Sequence, residues 1–353
     1  GRAPYEAVLT HGFVVDGEGR KMSKSSGNVV APQQIIDRYG ADILRLWVIA
    51  SDYSEDLRMS DDILRHQSDA YRRLRNTLRY LLGNLADFED SEKLSHSEMP
   101  ELERWVLHRL WEMDRDIRRD CENFNFHGIF TALHNFCAVE LSAFYFDVRK
   151  DSLYCDPKSA ARRRAARTVL DHVFHRLTAW LAPFICFTAE EAWLARENGR
   201  GGDETDSVHL RTFPDIPESW RNAALVEKWV KIRDLRRVVT GAIELERKEK
   251  RIGSSLQAHP VIYVNSGDLD LFDGHDAAEL FITSGANFSQ DEPPEDTFSL
   301  DDVSGVRVKP NLARGEKCER CWKVLADVGS DPEHPTICPR CADAVRHWTG
   351  AGG

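Results

Sequence analysis

The chain has 353 residues, 42% of them hydrophobic, with eight cysteines and a formal charge of −11 at neutral pH. At ~150 residues per domain this suggests two or three domains, each with a sizeable core. The acidic balance argues against a protein that coats nucleic acid indiscriminately, but a local basic patch can still hold a specific RNA.

No apolar run approaches the ~20 residues that a membrane span needs, so no membrane partner is expected. The start, Gly1-Arg2-Ala3-Pro4-Tyr5, has neither an initiator Met nor a signal-peptide core, and reads as a fragment boundary. Residues 5–15 alternate as a strand does, with Ala7, Leu9 and His11 set against Val8 and Val14-Val15. The turn Asp16-Gly17-Glu18-Gly19 leads into Arg20-Lys21-Met22-Ser23-Lys24-Ser25-Ser26-Gly27-Asn28. Glycine lets the backbone approach a ligand closely, serine offers hydroxyl donors, and lysine suits phosphate as a point charge on a flexible stem. The stretch is written as a mobile polyphosphate loop, although it lacks the Walker order of Gly, Lys and Ser/Thr.

Pro32 opens a short helix over Gln33–Tyr39, Gly40 ends it, and a second helix follows over Asp42–Ala50. Ser60 is placed to cap a long helix whose face runs through Leu64, Tyr71, Leu74, Leu78, Leu81-Leu82 and Leu85. Arg72, Arg73, Arg75 and Arg79 lie mostly off that face and are expected in solvent. Pro100 starts another helix, and Phe126, Phe130, Leu133, Cys137, Leu141 and Phe144 recur at helical spacing as a core stripe. Asp156-Pro157 reads as an N-cap followed by Pro at the first helical position. Pro183 should break that helix, and Thr188-Ala189-Glu190-Glu191 has the spacing of a capping box that restarts it. Four long antiparallel helices between Asp61 and Arg196 make a helical bundle.

Residues 199–217 read as a linker. A helix over Ala223–Lys250 follows, and residues 228–251 carry nine Lys/Arg against four Asp/Glu. Strands are expected at Val261–Val264, Phe288 and Val306–Lys309, with a short helix over Asp276–Ile282 and an acidic loop over Asp291–Asp302.

Cys121, Cys137, Cys155 and Cys186 stand alone in apolar or helical contexts and are expected as buried small hydrophobes. Cys318-x-x-Cys321 and Cys338-x-x-Cys341, sixteen residues apart, are different. Each pair can point two thiolates at one metal, and together they complete a tetrahedral shell with no open position: one structural zinc. His334 and His347 are spare donors that would break the symmetric spacing. Around the site, residues 305–323 carry six Lys/Arg against two Asp/Glu, and Trp322 follows Cys321. That surface can stack RNA bases, or Trp322 can cover the small core.

The string Lys21-Met22-Ser23-Lys24-Ser25 resembles the signature loop of class I aminoacyl-tRNA synthetases, flanked by Leu9-Thr10-His11-Gly12 and Gly27-Asn28. With Gly40–Val48, Asp52-Tyr53, Ser60-Asp61 and Lys317–Trp322, the whole chain resembles the C-terminal part of a bacterial isoleucyl-tRNA synthetase. The resemblance implies a mainly α chain in four parts. These are the end of a catalytic domain with its KMSKS loop (1–58), a helical-bundle anticodon-binding domain (59–200), a linker with basic helix and small α+β unit (201–310), and a four-cysteine zinc ribbon (311–353).

It further implies ATP-dependent activation of isoleucine, with Mg2+, and ligation to tRNA(Ile) by a cytoplasmic monomer. Lys24 and Lys21 would be catalytic, and Met22, Ser23 and Ser25 would join them around ATP. The companion nucleotide-binding and editing parts are expected upstream, so this stretch by itself should form no aminoacyl-adenylate. The alternatives are a valyl or leucyl relative, or a non-catalytic zinc-dependent RNA-binding module.

Overall fold

A computed structural model describes residues 3–198 and 207–347. Among them the chain folds as two compact units: residues 3–89, 109–143 and 169–218 in one, and 90–108, 144–168 and 219–347 in the other.

In the first unit, β1 (Val14–Val15) pairs in parallel with β2 (Leu57–Arg58), and between them lie α1 (Pro32–Tyr39) and α2 (Ala41–Ala50). The strand expected over residues 5–15 shrinks to these two residues. A strand exists only where a neighbour completes its ladder, and here the Leu57 and Met59 N–H groups reach only the Phe13 and Val15 carbonyls. Tyr5, Val8, Leu9 and Phe13 are left exposed. Gly12 is still tightly held: its N–H donates to the Tyr53 carbonyl at 2.8 Å, and a Cβ there would meet the Glu55 carbonyl oxygen at 2.1 Å.

Ser60 caps α3 (Asp61–Asn84) as its position predicts, accepting from the Ile63 N–H. Leu74, Leu78, Leu81 and Leu85 are buried, as are Val173, Phe174, Leu177 and Trp180 on α7 (Ala161–Leu181). The helix start expected at Pro157 is not there. The preceding helix ends on Asp156, whose N–H closes on the Ser152 carbonyl, and α7 begins only at Ala161. Thr188 is not a cap either. It is the third residue of α8 (Cys186–Asn198), and its N–H and hydroxyl donate to the buried Asp42 carboxylate at 2.8 and 2.6 Å. The cap of α8 therefore comes from α2, where it meets the positive helix end. Arg45 joins the same contact through the Pro183 and Phe184 carbonyls. Glu191, the expected box partner, instead takes both guanidinium ends of Arg75.

Between α4 (Glu101–Glu122) and α7 runs one long helical stretch: α5 (Phe126–Asn135), a π-helical segment Phe136–Tyr145, and α6 (Phe146–Cys155). By length and hydropathy this run would suit a bilayer, but its apolar residues Ile129, Leu133, Phe136, Leu141 and Phe144 are spent on protein core.

In the second unit, Trp229 of α9 (Ala223–Lys248) packs with Trp105 and Phe144, ring centroids 5.8 and 6.1 Å apart. Here β3 (Val261–Tyr263), α10 (Ser266–Leu269), α11 (Ala277–Phe281), β4 (Asn287–Ser289), β5 (Phe298–Leu300) and β6 (Val303–Lys309) follow in order. The sheet order is β4-β3-β6-β5, with β3 and β4 parallel and the other pairs antiparallel. The acidic loop thus hides a strand, β5, whose Phe298 ring covers Gly241 of α9. Within the expected linker, residues 199–206 lie outside the described residues, and Val208 is buried. The chain closes with β7 (Glu316–Lys317), β8 (Val324–Leu325) and α12 (Pro339–Arg346).

Candidate functional site

Two sites stand out, one in each unit. In the first, Lys21 bridges back to Val15, and residues 24–27 form a tight turn that Gly27 ends at φ +67°. Met22 is the anchor. It packs on the core of Ile35, Trp47, Leu57, Met59 and Leu64, while Lys21 and Lys24 on either side stay exposed. Among the described residues, neither ammonium is paired with a carboxylate. Ser23 holds the turn from within, its hydroxyl meeting those of Ser25 and Ser26 at 3.1 and 2.8 Å.

The ends of the loop are tied by two residues to which sequence reasoning gave no role. The buried Asp16 carboxylate accepts from the Arg20 N–H at 2.8 Å, the Glu18 N–H at 3.1 Å and the Arg20 guanidinium at 2.9 Å. The Asn28 amide donates to Asp16 at 2.9 Å and to the Lys21 carbonyl at 3.2 Å, and its oxygen accepts the Ser23 N–H at 2.9 Å. These donors, Asn28 first and the Arg20 backbone next, hold the Asp16 carboxyl down at about 2. A polar pair bracketing a lysine-rich loop was the visible signal. The result is a loop fixed at both ends and in the middle, with two cations facing outward. Such an arrangement can neutralise a polyphosphate without first breaking internal ion pairs.

In the second unit, the sulfur atoms of Cys318, Cys321, Cys338 and Cys341 all lie within 4.8 Å of one another and are buried. Cys321 and Cys338 sulfurs are 3.9 Å apart, close to the ~3.8 Å edge of a tetrahedron with ~2.3 Å zinc–sulfur bonds. The β7–β8 hairpin carries the first pair. Its turn closes through Cys318 N–H to the Lys323 carbonyl and Trp322 N–H to the Cys318 carbonyl, with Trp322 at φ +65°. Cys338 stands at the start of α12, and its N–H points at the Cys318 sulfur from 3.4 Å. Crowding pushes the Cys321, Cys338 and Cys341 thiols up. The hydrogen bond to Cys338 leads in pushing Cys321 up to about 11, so a metal must displace protons to bind. The donor set fits one closed zinc site, and neither His334 nor His347 belongs to it.

The knuckle is bolted to α6. Arg320 donates to the Tyr154 and Cys155 carbonyls, and Arg340 takes Asp151 at 2.6 and 2.8 Å. Trp322 is 61% exposed, so it does not cover the core. Arginines at the start of α7 turn inward: Arg162 binds Asp156 and Glu279, and Arg167 binds Glu92.

Three family models match in chain order: tRNA synthetases class I (I, L, M and V) over residues 1–60, the anticodon-binding domain of tRNA ligase over 103–262, and the zinc finger found in FPG and IleRS over 315–344. An isoleucine–tRNA ligase of Brucella abortus is 52% identical over 353 residues, which is all of this chain and 36% of the relative. This chain belongs to the isoleucine–tRNA ligase family. The ligases of Agrobacterium fabrum and Caulobacter vibrioides agree, at 52% over 347 residues and 49% over 355, covering 98% and 100% of this chain and 35% and 36% of theirs. The chain therefore spans about a third of the length of these ligases. Among solved structures, an Agrobacterium radiobacter LeuRS–tRNA–LeuAMS complex matches with a TM-score of 0.47 and 21% identity, over 60% of this chain and 24% of that one. That likeness is too distant to carry an argument.

Proposed function

We propose that this chain is the part of an isoleucine–tRNA ligase that brings the lysine loop to ATP and holds tRNA(Ile) through its anticodon-binding helices, with one structural zinc on Cys318, Cys321, Cys338 and Cys341. The observation that carries the catalytic half is the loop itself: Lys21 and Lys24 exposed on a backbone pinned by Asp16, Asn28 and Met22. When the isoleucine carboxylate attacks the α-phosphate of ATP, negative charge grows on phosphorus and on the departing pyrophosphate. Two ammonium groups held over that charge stabilise the transition state more than the ground state. Met22, Ser23 and Ser25 set their reach, and Mg2+ travels with ATP as part of the substrate.

The four parts read from the sequence, with boundaries at 58, 200 and 310, are proposed on the same footing, as is action in the cytoplasm as a monomer. The chain by itself is proposed to form no adenylate. The test is isoleucine-dependent ATP–pyrophosphate exchange in the full-length ligase. Lys24→Ala should slow exchange ~10²–10³-fold, by analogy with the loss of one oxyanion donor. An unchanged rate would overturn the catalytic reading. Binding of this chain to tRNA with matched and mismatched anticodons, across a salt series, tests the RNA half.

A further inference from the structure

Arg58 ends β2, is exposed, and has no carboxylate partner among the described residues. The other described arginines up to Arg65 are all engaged: Arg20 with Asp16 and Glu18, Arg38 and Arg65 with Asp61, and Arg45 with the Pro183 and Phe184 carbonyls. The cations left over in this segment are Lys21, Lys24 and Arg58. The backbone sets Arg58 beside the lysine loop, because Val15 pairs with Arg58 on one side and bridges to Lys21 on the other. Two strand spacings put those backbones about 10 Å apart. The guanidinium leans back toward the loop: its Nη2, Cζ and Nε lie 3.6, 3.8 and 3.8 Å from where a Cβ on Gly19 would stand. Gly19, at φ +81°, has no side chain, so the guanidinium covers bare backbone two residues before Lys21. Each of these two cations is anchored by the methionine that follows it. Met59 is buried in the core of Ile35, Trp47, Leu57 and Leu64, and Met22 packs against the same core. The Arg58 carbonyl also accepts the Trp47 indole N–H at 3.2 Å.

We propose that Arg58 is a third phosphate-binding residue beside the lysine loop, holding a phosphoryl group of ATP or of the RNA backbone together with Lys21; this rests on the reading of that loop as a clamp on ATP. Like charges gathered in one short segment repel one another, and an anion brought from outside relieves that repulsion. The closest carboxylates cannot do so. Asp16 is engaged by Asn28 and Arg20, Glu18 by Arg20, and Asp61 by Arg38, Arg65 and Tyr39. A free guanidinium meets two phosphoryl oxygens at once through its planar fork, where an ammonium offers a point charge. The shared methionine core fixes the spacing of Arg58 and Lys21, so little backbone order is lost when a phosphate joins them. The two kinds of cation then differ in what they do. The lysines ride on the loop, whereas Arg58 stands on a strand and meets the phosphate before, during and after reaction. Binding that is equal in ground and transition states lowers KM without raising kcat.

The experiment uses the full-length ligase carrying Arg58→Gln or Arg58→Lys. Isoleucine-dependent ATP–pyrophosphate exchange gives kcat and the KM values for ATP and pyrophosphate, and a salt series gives the Kd for tRNA(Ile). Arg58→Gln should raise KM for ATP or pyrophosphate about tenfold to a hundredfold, the worth of a hydrogen bond to a charged group, with kcat changed far less. Arg58→Lys should recover part of that loss, and both variants should melt with the wild type, since no ion pair is removed. If the KM values hold while tRNA binding weakens and its salt slope falls by about one, the phosphoryl group is the RNA's. Unchanged KM and Kd values would overturn the proposal, and so would a lower kcat accompanied by a lower melting temperature, which marks a structural role. Lys24→Ala, measured alongside, separates the two readings. If it slows exchange while Arg58→Gln changes nothing, the Arg58 assignment alone fails; if it leaves exchange untouched, the clamp reading fails and takes the Arg58 assignment with it.

Discussion

Asn28 donates its side-chain amide to the buried Asp16 carboxylate across 2.9 Å, closing residues 16–28 into a ring around the lysine loop. The same amide reaches the Lys21 carbonyl, and the Asn28 oxygen takes the Ser23 N–H. One side chain thus fixes where Lys21 and Lys24 leave the fold. Asn28→Ala removes three hydrogen bonds at once and should leave the core of Ile35, Trp47 and Leu57 intact. The expected result is unchanged global stability with faster amide exchange at Ser23, and trypsin cleavage after Lys21 and Lys24 sped by about fivefold or more, the worth of one net hydrogen bond. In the full-length ligase the same variant should raise KM for ATP and lower kcat together.

Acid should open the same latch. The Asp16 carboxyl is held at about 2, below its ordinary 3.8, first by the Asn28 amide and then by the Arg20 N–H. A group whose pKa is depressed in the folded state contributes stability above its unfolded value and loses it as pH falls through the folded one. The loop should stay closed down to about pH 4 and loosen between 4 and 2. The Asp16 carboxyl carbon and the Arg20 amide, followed by NMR, should titrate together in that window. In an Asn28→Ala chain the midpoint should move up.

Much of this was legible in the sequence because it rests on local chemistry. The two C-x-x-C pairs specify their own turns, and the periodic leucines of α3 specify their own face. What escaped was decided by partners distant in sequence. Thr188 looks like a cap until Asp42, 146 residues earlier, takes its hydroxyl. Cys155 is buried, as its context suggests, but nothing local shows that Cys318, Cys321, Cys338 and Cys341 pack against it. Residues 5–13 alternate as a strand does, but alternation cannot supply the neighbour that a ladder requires.

Removing metal should act locally. The β7–β8 hairpin and α12 have few apolar residues of their own, and the four buried sulfurs sit at their centre. The four-stranded sheet has a separate core that includes Ile262, Val308 and Phe281. Chelation should release one zinc per chain and abolish exchange protection at the Cys318 and Trp322 amides, while Ile262 and Val308 keep theirs. Loss of protection across the sheet would show that the knuckle supports more of the fold than its own contacts suggest.

The costliest single change should be at Arg149, which joins three helices of the second unit. Its guanidinium clamps Glu103 with two bonds of 2.7 Å and reaches Glu279 at 2.8 Å, and Tyr145 adds its hydroxyl to Glu103 at 3.0 Å. Glu103 is fully buried and Arg149 nearly so. Burial alone would push the Arg149 pKa down, but the charges of Glu103 and Glu279 more than reverse it, so the cation persists. Arg149→Met would strand the Glu103 carboxylate without its counter-charge, a change that typically costs ~3–5 kcal/mol. The urea midpoint should fall accordingly, with the slope unchanged if unfolding stays two-state. Adding Glu103→Leu to Arg149→Met removes the stranded charge and should recover a large part of the loss, because a well-packed apolar pair replaces a buried ion pair at little net cost. If the double variant were no more stable than the single one, the Tyr145 hydroxyl would be holding Glu103 in place without Arg149.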